Sequence, residues 1–286
     1  MTASALALVL ASAVAHATWN LLAKRAGGGL VFAWLFHVAG VVACAPFAVA
    51  LLVVQRPSVG TVELVAMFVS AVLHLAYFLF LAQAYRGGDL SLVYPLARGT
   101  GPLLATIVAV LVFGERPTPV ALAGATLIGV GVLILTGDPR RLLLPGASRS
   151  VAYALLTGLF IAAYTLWDKL SVGQIGVPPL LYFWGFTAGT ALLLVPSVLR
   201  RLDEVRDTWS RSGREVLGVG VLVPVAYVLV LTALAVSPVS YVAPAREIGI
   251  LFGALMGARL LSEGDVRRRL CGAAAMVVGV AGLAMG

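Results

Sequence analysis

The sequence predicts an all-α, polytopic membrane protein whose ten transmembrane helices form two inverted five-helix repeats. The first observation is composition. The 286 residues are 61% hydrophobic and 11% charged, with a mean hydropathy of +1.03, which leaves too little charge for a water-facing surface. The second is run length, because the apolar residues form continuous runs of about 20, enough to cross a hydrocarbon core roughly 30 Å thick. These runs do not alternate, which argues against a β-barrel.

The third observation is an internal repeat with a fixed offset of 148 residues, and no gap is needed to align the two copies. Each copy holds five apolar runs. An odd number of spans makes the second copy enter the membrane from the opposite side, an arrangement found in many secondary transporters. We therefore divide the chain into a first repeat at 1–136, a linker at 137–149 and a second repeat at 150–286. The matching pairs are Trp19/Trp167, Arg98/Arg246, Gly101/Gly249, Glu115/Glu263, Gly124/Gly272 and Gly131/Gly279.

Turn-forming or charged residues separate the predicted helices. In the first repeat the breaks combine glycine, proline and arginine. In the second repeat residues 172–179 form a weak break, residues 200–214 form the one long charged loop, and Ser237 with Pro238 marks a turn. The predicted helices span residues 3–22, 30–54, 62–85, 90–113, 119–136, 150–169, 178–199, 215–236, 239–261 and 269–285.

The net charge is +8, and the distribution of lysine and arginine among the loops explains it without nucleic-acid binding, for which no soluble region exists. Loops after odd-numbered helices carry fourteen of these residues, and loops after even-numbered helices carry three. Because basic loops stay on the cytoplasmic side, this count predicts that both termini lie outside the cytoplasm.

Several other classes of protein are disfavoured. Cys44 and Cys271 both fall in apolar runs, so no disulfide framework is predicted. No Walker motif is present, which argues against ATP hydrolysis, and no residues have metal-ligand spacing. We therefore predict no metal, no cofactor and no enzymatic activity. The first apolar run is long enough to span and lacks a basic n-region, so it is predicted to be a retained helix.

Three charged residues lie well inside predicted helices, namely Arg98, Arg246 and Glu247. An ionisable group at the bilayer centre costs about 2.5–3.5 kcal/mol on insertion scales, so each needs a partner or a wet cavity. Prolines and glycines surround Arg98 and Arg246, so both helices should be kinked or loosened there. Interrupted helices at matching positions of two repeats are the best sequence indication of a transporter site.

The roles of these three residues have alternatives. Arg98 and Arg246 are predicted to bind an anionic group such as a carboxylate. Alternatively, Arg246 pairs with Glu247 or another helix, and Arg98 caps backbone carbonyls or reaches the interface. Glu247 is predicted to bind a substrate amine or to carry a coupling proton. Its alternative is a neutralising structural pair, although neighbours in sequence project about 100° apart on a helix.

A polar stripe runs along the first helix, where His16, Asn20 and Lys24 recur at i, i+4 and i+8. His16 and Asn20 are predicted to line the same cavity, with His16 a second candidate for proton coupling. The alternative is hydrogen bonding between helices, and for Lys24 it is interfacial anchoring. The counterparts at the repeat offset are Tyr164 and Asp168.

Among the aromatic residues and remaining histidines, Tyr94 is predicted to contact substrate. His37 and His74 are predicted to be hydrogen-bonded helix residues without a ligand. Trp19 and Trp167 lie near helix ends, where interfacial anchoring is the usual reason for tryptophan.

Two acidic residues and two glycine ridges are predicted to be structural. Glu115 and Glu263 precede helices and should cap helix N-termini or pair with loops. The glycines should let helices approach closely. The ridges are Gly185 with Gly189, and Gly249 with Gly253 and Gly257.

Four segments are more specific than composition: His16-Ala-Thr-Trp19-Asn20-Leu-Leu-Ala-Lys24, Tyr94-Pro95-Leu-Ala-Arg98-Gly99, Gly114-Glu115-Arg116-Pro117 and Ser262-Glu263-Gly264. With them the chain resembles, over essentially its whole length, the EamA-type ten-helix branch of the drug/metabolite transporter superfamily. The resemblance implies export or exchange of small metabolites, often amino acids or related amines, through a central cavity. It also implies cytoplasmic termini, opposite to the charge count, so orientation stays open.

The expected function is secondary active transport, as an exporter or exchanger, of a small metabolite such as an amino acid, amine or organic anion. Helices 4, 9 and 1 would line the site, and rocking of one repeat against the other would give alternating access. The expected partners are the lipid bilayer, in a prokaryotic inner membrane, and a small-molecule substrate.

Three alternatives remain: a flippase of lipids or lipid-linked metabolites, a non-transporting scaffold and a polytopic membrane enzyme. The enzyme would need clustered acids or metal ligands at the interface. Asp203, Glu204 and Asp207 instead sit among arginines, as expected for a solvated charged turn.

Overall fold

The structure, a computed structural model, describes residues 1–87, 90–136, 148–252 and 266–286. All regular elements in this part of the chain are helices. They are α1 Ala3–Arg25, α2 Leu30–Gln55, α3 Thr61–Gly87, α4 Leu90–Val112, α5 Pro119–Thr136, α6 Ser148–Lys169, α7 Pro179–Val198, α8 Leu202–Val236, α9 Val239–Ala245 and α10 Val266–Met285. A π-helical turn, Leu170–Gln174, continues α6.

Within the described residues, five helical stretches are long and apolar enough to cross a membrane by length and composition. One of them, Pro179–Val236, contains both α7 and α8, and α4, α5 and α10 contribute shorter apolar helices. The all-helical, membrane-spanning class is confirmed, whereas the count of ten spans and the repeat boundaries remain predictions.

The surface is apolar where a bilayer would surround it. Large hydrophobic side chains are exposed on α1 to α8 and on α10, among them Val54 at 79% and Leu111 at 76%. Such a surface suits lipid and not water. By contrast, all seven residues of α9 are buried. The short helix α9 is therefore central, and it carries the candidate site to the middle of the bundle.

Glycines allow α5 and α10 to cross closely. A methyl group at Gly124 would lie 2.5 Å from the carbonyl oxygen of Gly279, and one at Gly131 would lie 2.8 Å from that of Gly272. The helices are antiparallel here, because the higher number on one meets the lower number on the other. The offset of 148 relates Gly124 to Gly272 and Gly131 to Gly279. It therefore exchanges the two contacts, as a two-fold axis does in a symmetric interface.

The predicted glycine ridge on α7 is confirmed as a packing surface. Gly185 faces Met67 of α3, and a methyl group at Gly189 would lie 3.0 Å from the Ala71 Cβ. Gly249 lies against α1, since its added methyl would be 3.6 Å from the Ala13 carbonyl oxygen. The other two predicted ridge members, Gly253 and Gly257, lie outside the described residues. Residues 137–147 of the predicted 137–149 linker also lie outside them, and Ser148 and Arg149 begin α6.

The predicted charged loop at residues 200–214 is wrong, because this segment is helical. Residues 200 and 201 end a 3₁₀ turn, Leu199–Arg201. Residues 202–214 form the start of α8, with one non-helical residue, Ser212, at φ −134°. Leu202, Val205 and Trp209 recur at i, i+3 and i+7, which puts them on one face of an amphipathic helix. The charges that suggested a loop occupy the remaining faces, so the segment suits the interface between membrane and water.

The two proline-containing segments differ. The helical run of α9 ends at Ala245, Arg246 and Glu247 form a turn, and residues 248–252 are helical again. The expectation of an interrupted helix is confirmed there. It is wrong for α4, which is continuous from Leu90 to Val112. Its Gly101 serves packing instead, since an added methyl would lie 2.5 Å from Ile161 of α6.

Candidate functional site

The break after α9 brings an acid against an arginine from the other half of the chain. The Glu247 Oε2 lies 3.0 Å from the Arg98 Nε, and the side chains are 6% and 11% exposed. The two atoms are close without hydrogen-bond alignment, so we describe the contact as an ion pair. Glu247 therefore pairs with Arg98 on α4 and not with Arg246, which agrees with its alternative as a neutralising pair but with a different partner.

Arg246 makes a different contact. Its guanidinium lies over the ring of Tyr227 on α8, 5.5 Å from the ring centroid, a favourable cation–π arrangement. Among the described residues, no carboxylate lies within ion-pair distance of it. The cluster of Arg98, Arg246 and Glu247 thus has two positive charges and one negative charge, and its formal net charge of about +1 favours an anionic ligand.

A small cavity lies between these charges. Its volume is about 10 Å³, close to the room needed by one water molecule. A small metabolite would fit only if the surrounding helices moved apart. A larger groove of ≈ 510 Å³ beside the start of α8 is lined by exposed Asp203 and Arg206 and contains no buried charge. The small cavity is lined by Arg98, Pro102, Ile161, Tyr164, Thr165, Ala243, Arg246 and Glu247.

A second polar cluster surrounds Asp168, which is fully buried on α6. One carboxylate oxygen accepts hydrogen bonds from the hydroxyls of Tyr182, at 2.8 Å, and Ser70, at 3.1 Å. The other accepts from the Tyr227 hydroxyl at 2.5 Å. The same Tyr227 oxygen lies 2.7 Å from the Nε2 of His74. We call Asp168, Tyr227 and His74 the buried polar chain.

The two clusters share aromatic rings. Tyr227 is both the ring beneath Arg246 and the middle member of the buried polar chain. Tyr164 lines the cavity and also stacks on His74, with ring centroids 4.2 Å apart. A change of charge in the chain is therefore adjacent to the candidate substrate cavity.

The model of the EamA-like transporter family matches residues 3–137 and again residues 148–285. The chain belongs to the EamA-like transporter family. It is an integral, multi-pass membrane protein, and membership of a transporter family argues against an enzymatic role.

Solved structures support the fold of this EamA-like transporter. Among 29 matching chains, one titled "Crystal structure of protein" superposes with a TM-score of 0.79 at 18% identity, covering 100% of this chain and 98% of the other. At that identity the likeness shows the fold alone. No curated protein matches the sequence.

The structure of this EamA-like transporter brings together only some of the predicted site residues. Arg98, Arg246 and Glu247 line one cavity. His16 lies near the segment after the break, since a methyl at Gly249 would be 3.7 Å from its Cδ2. It does not line the small cavity, and Asn20 is exposed and donates to the His16 carbonyl of its own helix, at 2.8 Å. The side chain of Tyr94 lies outside the described residues.

Several structural expectations are met. Glu115 caps α9, accepting from the backbone N–H groups of Val239 at 2.7 Å and Ser240 at 2.9 Å. Its counterpart Glu263 lies outside the described residues. His37 is a hydrogen-bonded helix residue, with Nδ1 2.7 Å from the carbonyl oxygen of Ala33. His74 is also hydrogen-bonded, and its contact with Tyr227 gives it a larger role than the sequence predicted.

From the sequence, Asp168 was predicted only as the counterpart of Asn20 and not as a site residue, because the predicted sixth helix ends one residue after it. The π-helical turn extends this helical stretch to Gln174, so Asp168 lies well inside it. An acid in a membrane-spanning segment is a functional candidate by default. That rule, applied to the longer span, would have identified the residue.

Proposed function

We propose that this EamA-like transporter carries a small metabolite with a carboxylate group, as an exporter or exchanger, by alternating access between two inverted five-helix repeats. The observation that carries the proposal is the charge cluster at the α9 break. Two arginines and one glutamate face one cavity, and only one of the arginines has a carboxylate partner among the described residues. Buried charges inside a membrane protein are retained for binding or coupling.

The arrangement of charges favours a zwitterion such as an amino acid, or an organic anion. A carboxylate would compete with Glu247 for Arg98 and would also attract Arg246. An ammonium group on the same substrate would take the place of Arg98 beside Glu247. The formal charge of the cluster makes a simple amine the least favoured of the three predicted classes. The proposed role of Glu247 is therefore to release Arg98 to the substrate carboxylate and to bind the substrate ammonium group in its place.

The small size of the cavity implies that α4 and the break after α9 must move apart for a metabolite to bind. The cavity has room for about one water molecule, so binding requires the ion pair between Arg98 and Glu247 to open. The antiparallel crossing of α5 and α10 supports the inverted relation of the repeats. A two-fold axis that relates antiparallel helices must be perpendicular to them, and hence lie in the membrane plane. We assign the repeats to 1–136 and 150–286 and the protein to a prokaryotic inner membrane.

The test is binding and counterflow of radiolabelled amino acids and organic acids with the purified protein in liposomes. Arg246→Gln should weaken binding of the carboxylate substrate about 10- to 100-fold, because a hydrogen bond to a charged group contributes about 1.5–3 kcal/mol. The matched control is Arg211→Gln, which removes an exposed arginine paired with Asp207. It should have wild-type affinity.

Two results would contradict the proposal. A substrate whose affinity is unchanged in Arg246→Gln binds elsewhere. If no water-soluble metabolite exchanges and a fluorescent lipid is instead moved between leaflets, the flippase alternative is favoured.

A further inference from the structure

The buried polar chain contains an acid that the proposed substrate site does not use. Asp168 is fully buried, and the described residues give it hydroxyl partners and no ion pair. A buried carboxylate inside a membrane protein is costly unless its interactions compensate for lost hydration. An acid at such a position is a functional candidate by default.

The hydrogen bonds of the chain can be counted proton by proton. The Nδ1 of His74 lies 2.9 Å from the backbone carbonyl oxygen of Ser70. The Ser70 hydroxyl is 3.2 Å from the same nitrogen and donates to Asp168 instead. Because a carbonyl only accepts, the shorter contact assigns a proton to Nδ1, and the Nε2 of a neutral His74 is then an acceptor. Asp168, when ionised, is also an acceptor. Between the two acceptors lies the hydroxyl of Tyr227, which has only one proton to donate.

The chain therefore has room for one additional proton. If the proton is on Asp168, the acid donates to the Tyr227 oxygen, and Tyr227 donates to His74. If the proton is on the Nε2 of His74, the imidazolium donates to Tyr227, and Tyr227 donates to Asp168. In either arrangement both contacts are satisfied, at 2.5 Å and 2.7 Å. Without the extra proton, one of the two acceptors lacks a donor.

We propose that Asp168, Tyr227 and His74 form a proton-binding site that is coupled to the substrate cavity. The proton arrives from water and returns to water, and no bond other than O–H or N–H forms or breaks. The coupling part rests on the proposed transport function, whereas the proton-binding part does not. This assignment replaces Glu247 and His16 as the first candidates for proton coupling.

The ring of Tyr227, which both clusters share, indicates whether protonation should strengthen or weaken substrate binding. Arg246 lies over Tyr227, whose hydroxyl donates to Asp168. When Asp168 is ionised, its negative charge partly offsets the positive charge of Arg246. Protonation of the chain raises the local charge by one unit, so it should strengthen binding of a carboxylate in the cavity. Proton and substrate would therefore bind with positive cooperativity, and such coupling is reciprocal. Of the two proposed modes this fits the exchanger, because proton-driven export would require proton and substrate to compete.

Other ionisable and polar groups face the chain from every helix packed against it, and each needs a control in a pH titration. Ser70 on α3, Tyr182 on α7 and Tyr164 on α6 are hydrogen-bond or ring contacts. The charged neighbours are Arg98, Arg246 and Glu247, and His37 is the further histidine near His74. Lys169 follows Asp168 in sequence but donates to the carbonyls of Leu234 and Ser237, and His16 lies near the two arginines.

The test is infrared difference spectroscopy of the full-length protein in lipid nanodiscs, between neutral and acidic solution, with no substrate added. We expect the band of a protonated carboxylic acid, or an imidazolium signature, to appear on acidification. The carboxylic band should be absent in Asp168→Asn and the imidazolium signature absent in His74→Gln. Tyr227→Phe should shift the frequency or the midpoint.

Matched variants keep the test decisive. Thr157→Val changes another buried hydroxyl on α6, one that bonds only its own helix, and should leave the signal unchanged. If the signal survives in Asp168→Asn and His74→Gln but disappears in Glu247→Gln or His16→Gln, the proposal is overturned. Absence of any protonation signal in the wild type also overturns it, while leaving the carboxylate counterflow result intact. Should Asp168→Asn not fold, His74→Gln and Tyr227→Phe supply the same test.

Discussion

The polar stripe of α1, which contains His16 and Asn20, and its counterpart on α6, which contains Tyr164 and Asp168, lie in different environments. On α1, Asn20 is exposed and bonds its own helix. On α6, its counterpart Asp168 is fully buried and accepts three hydroxyl hydrogen bonds. Positions related by the 148-residue offset therefore differ in both burial and chemistry.

The tryptophans of the two stripes show the same divergence. The indole N–H of Trp167 donates to the Ala66 carbonyl oxygen at 2.8 Å, tying α6 to α3. Trp19 is instead edge-on to His16, with ring centroids 4.8 Å apart. Trp167 is partly buried and links two helices, a role that the expectation of interfacial anchoring did not include.

The largest expected difference between the stripes is in the stability of alanine variants. Asp168→Ala should lower the free energy of unfolding by about 3 kcal/mol or more, because it leaves buried hydroxyls of three other helices without their acceptor. Asn20→Ala should change it by less than about 0.5 kcal/mol, as expected for an exposed residue. Denaturant titration in detergent measures both. Equal losses would show that the stripes are energetically equivalent.

A smaller difference is expected for the tryptophans. Trp167→Phe and Trp19→Phe remove the same volume, but only the first removes a described hydrogen bond. The stability loss should therefore be greater for Trp167→Phe by about 1 kcal/mol. Thermal unfolding of the two variants side by side checks this, and a larger loss for Trp19→Phe would contradict the comparison.

The sequence predicted the helices well because a bilayer imposes a minimum apolar length. It failed where local signals had other causes. The charges at 200–214 belong to an amphipathic helix, and Gly101 of α4 serves packing against Ile161. A π-helical turn after Lys169 is a local adjustment that apolar runs do not reveal, and it hid the importance of Asp168.

The site itself was half predictable. Arg98, Arg246 and Glu247 were found because charges are rare in spanning helices. The pairing of Arg98 with Glu247 joins distant parts of the chain, and no local spacing indicates it. The repeat offset contains a clue, since Glu247 is the counterpart of Gly99. A contact between near-equivalent positions arises close to a two-fold axis, so α4 and α9 could have been placed there.

The most direct test of the account is the affinity for the carboxylate substrate measured by calorimetry across pH. In the wild type, affinity should rise about 5-fold or more when the solution is changed from neutral to acidic, because the buried polar chain binds a proton. Asp168→Asn should remove that dependence, and Arg246→Gln should weaken binding at every pH. The account would be contradicted by a wild-type affinity that falls on acidification, or by a pH dependence that persists unchanged in Asp168→Asn.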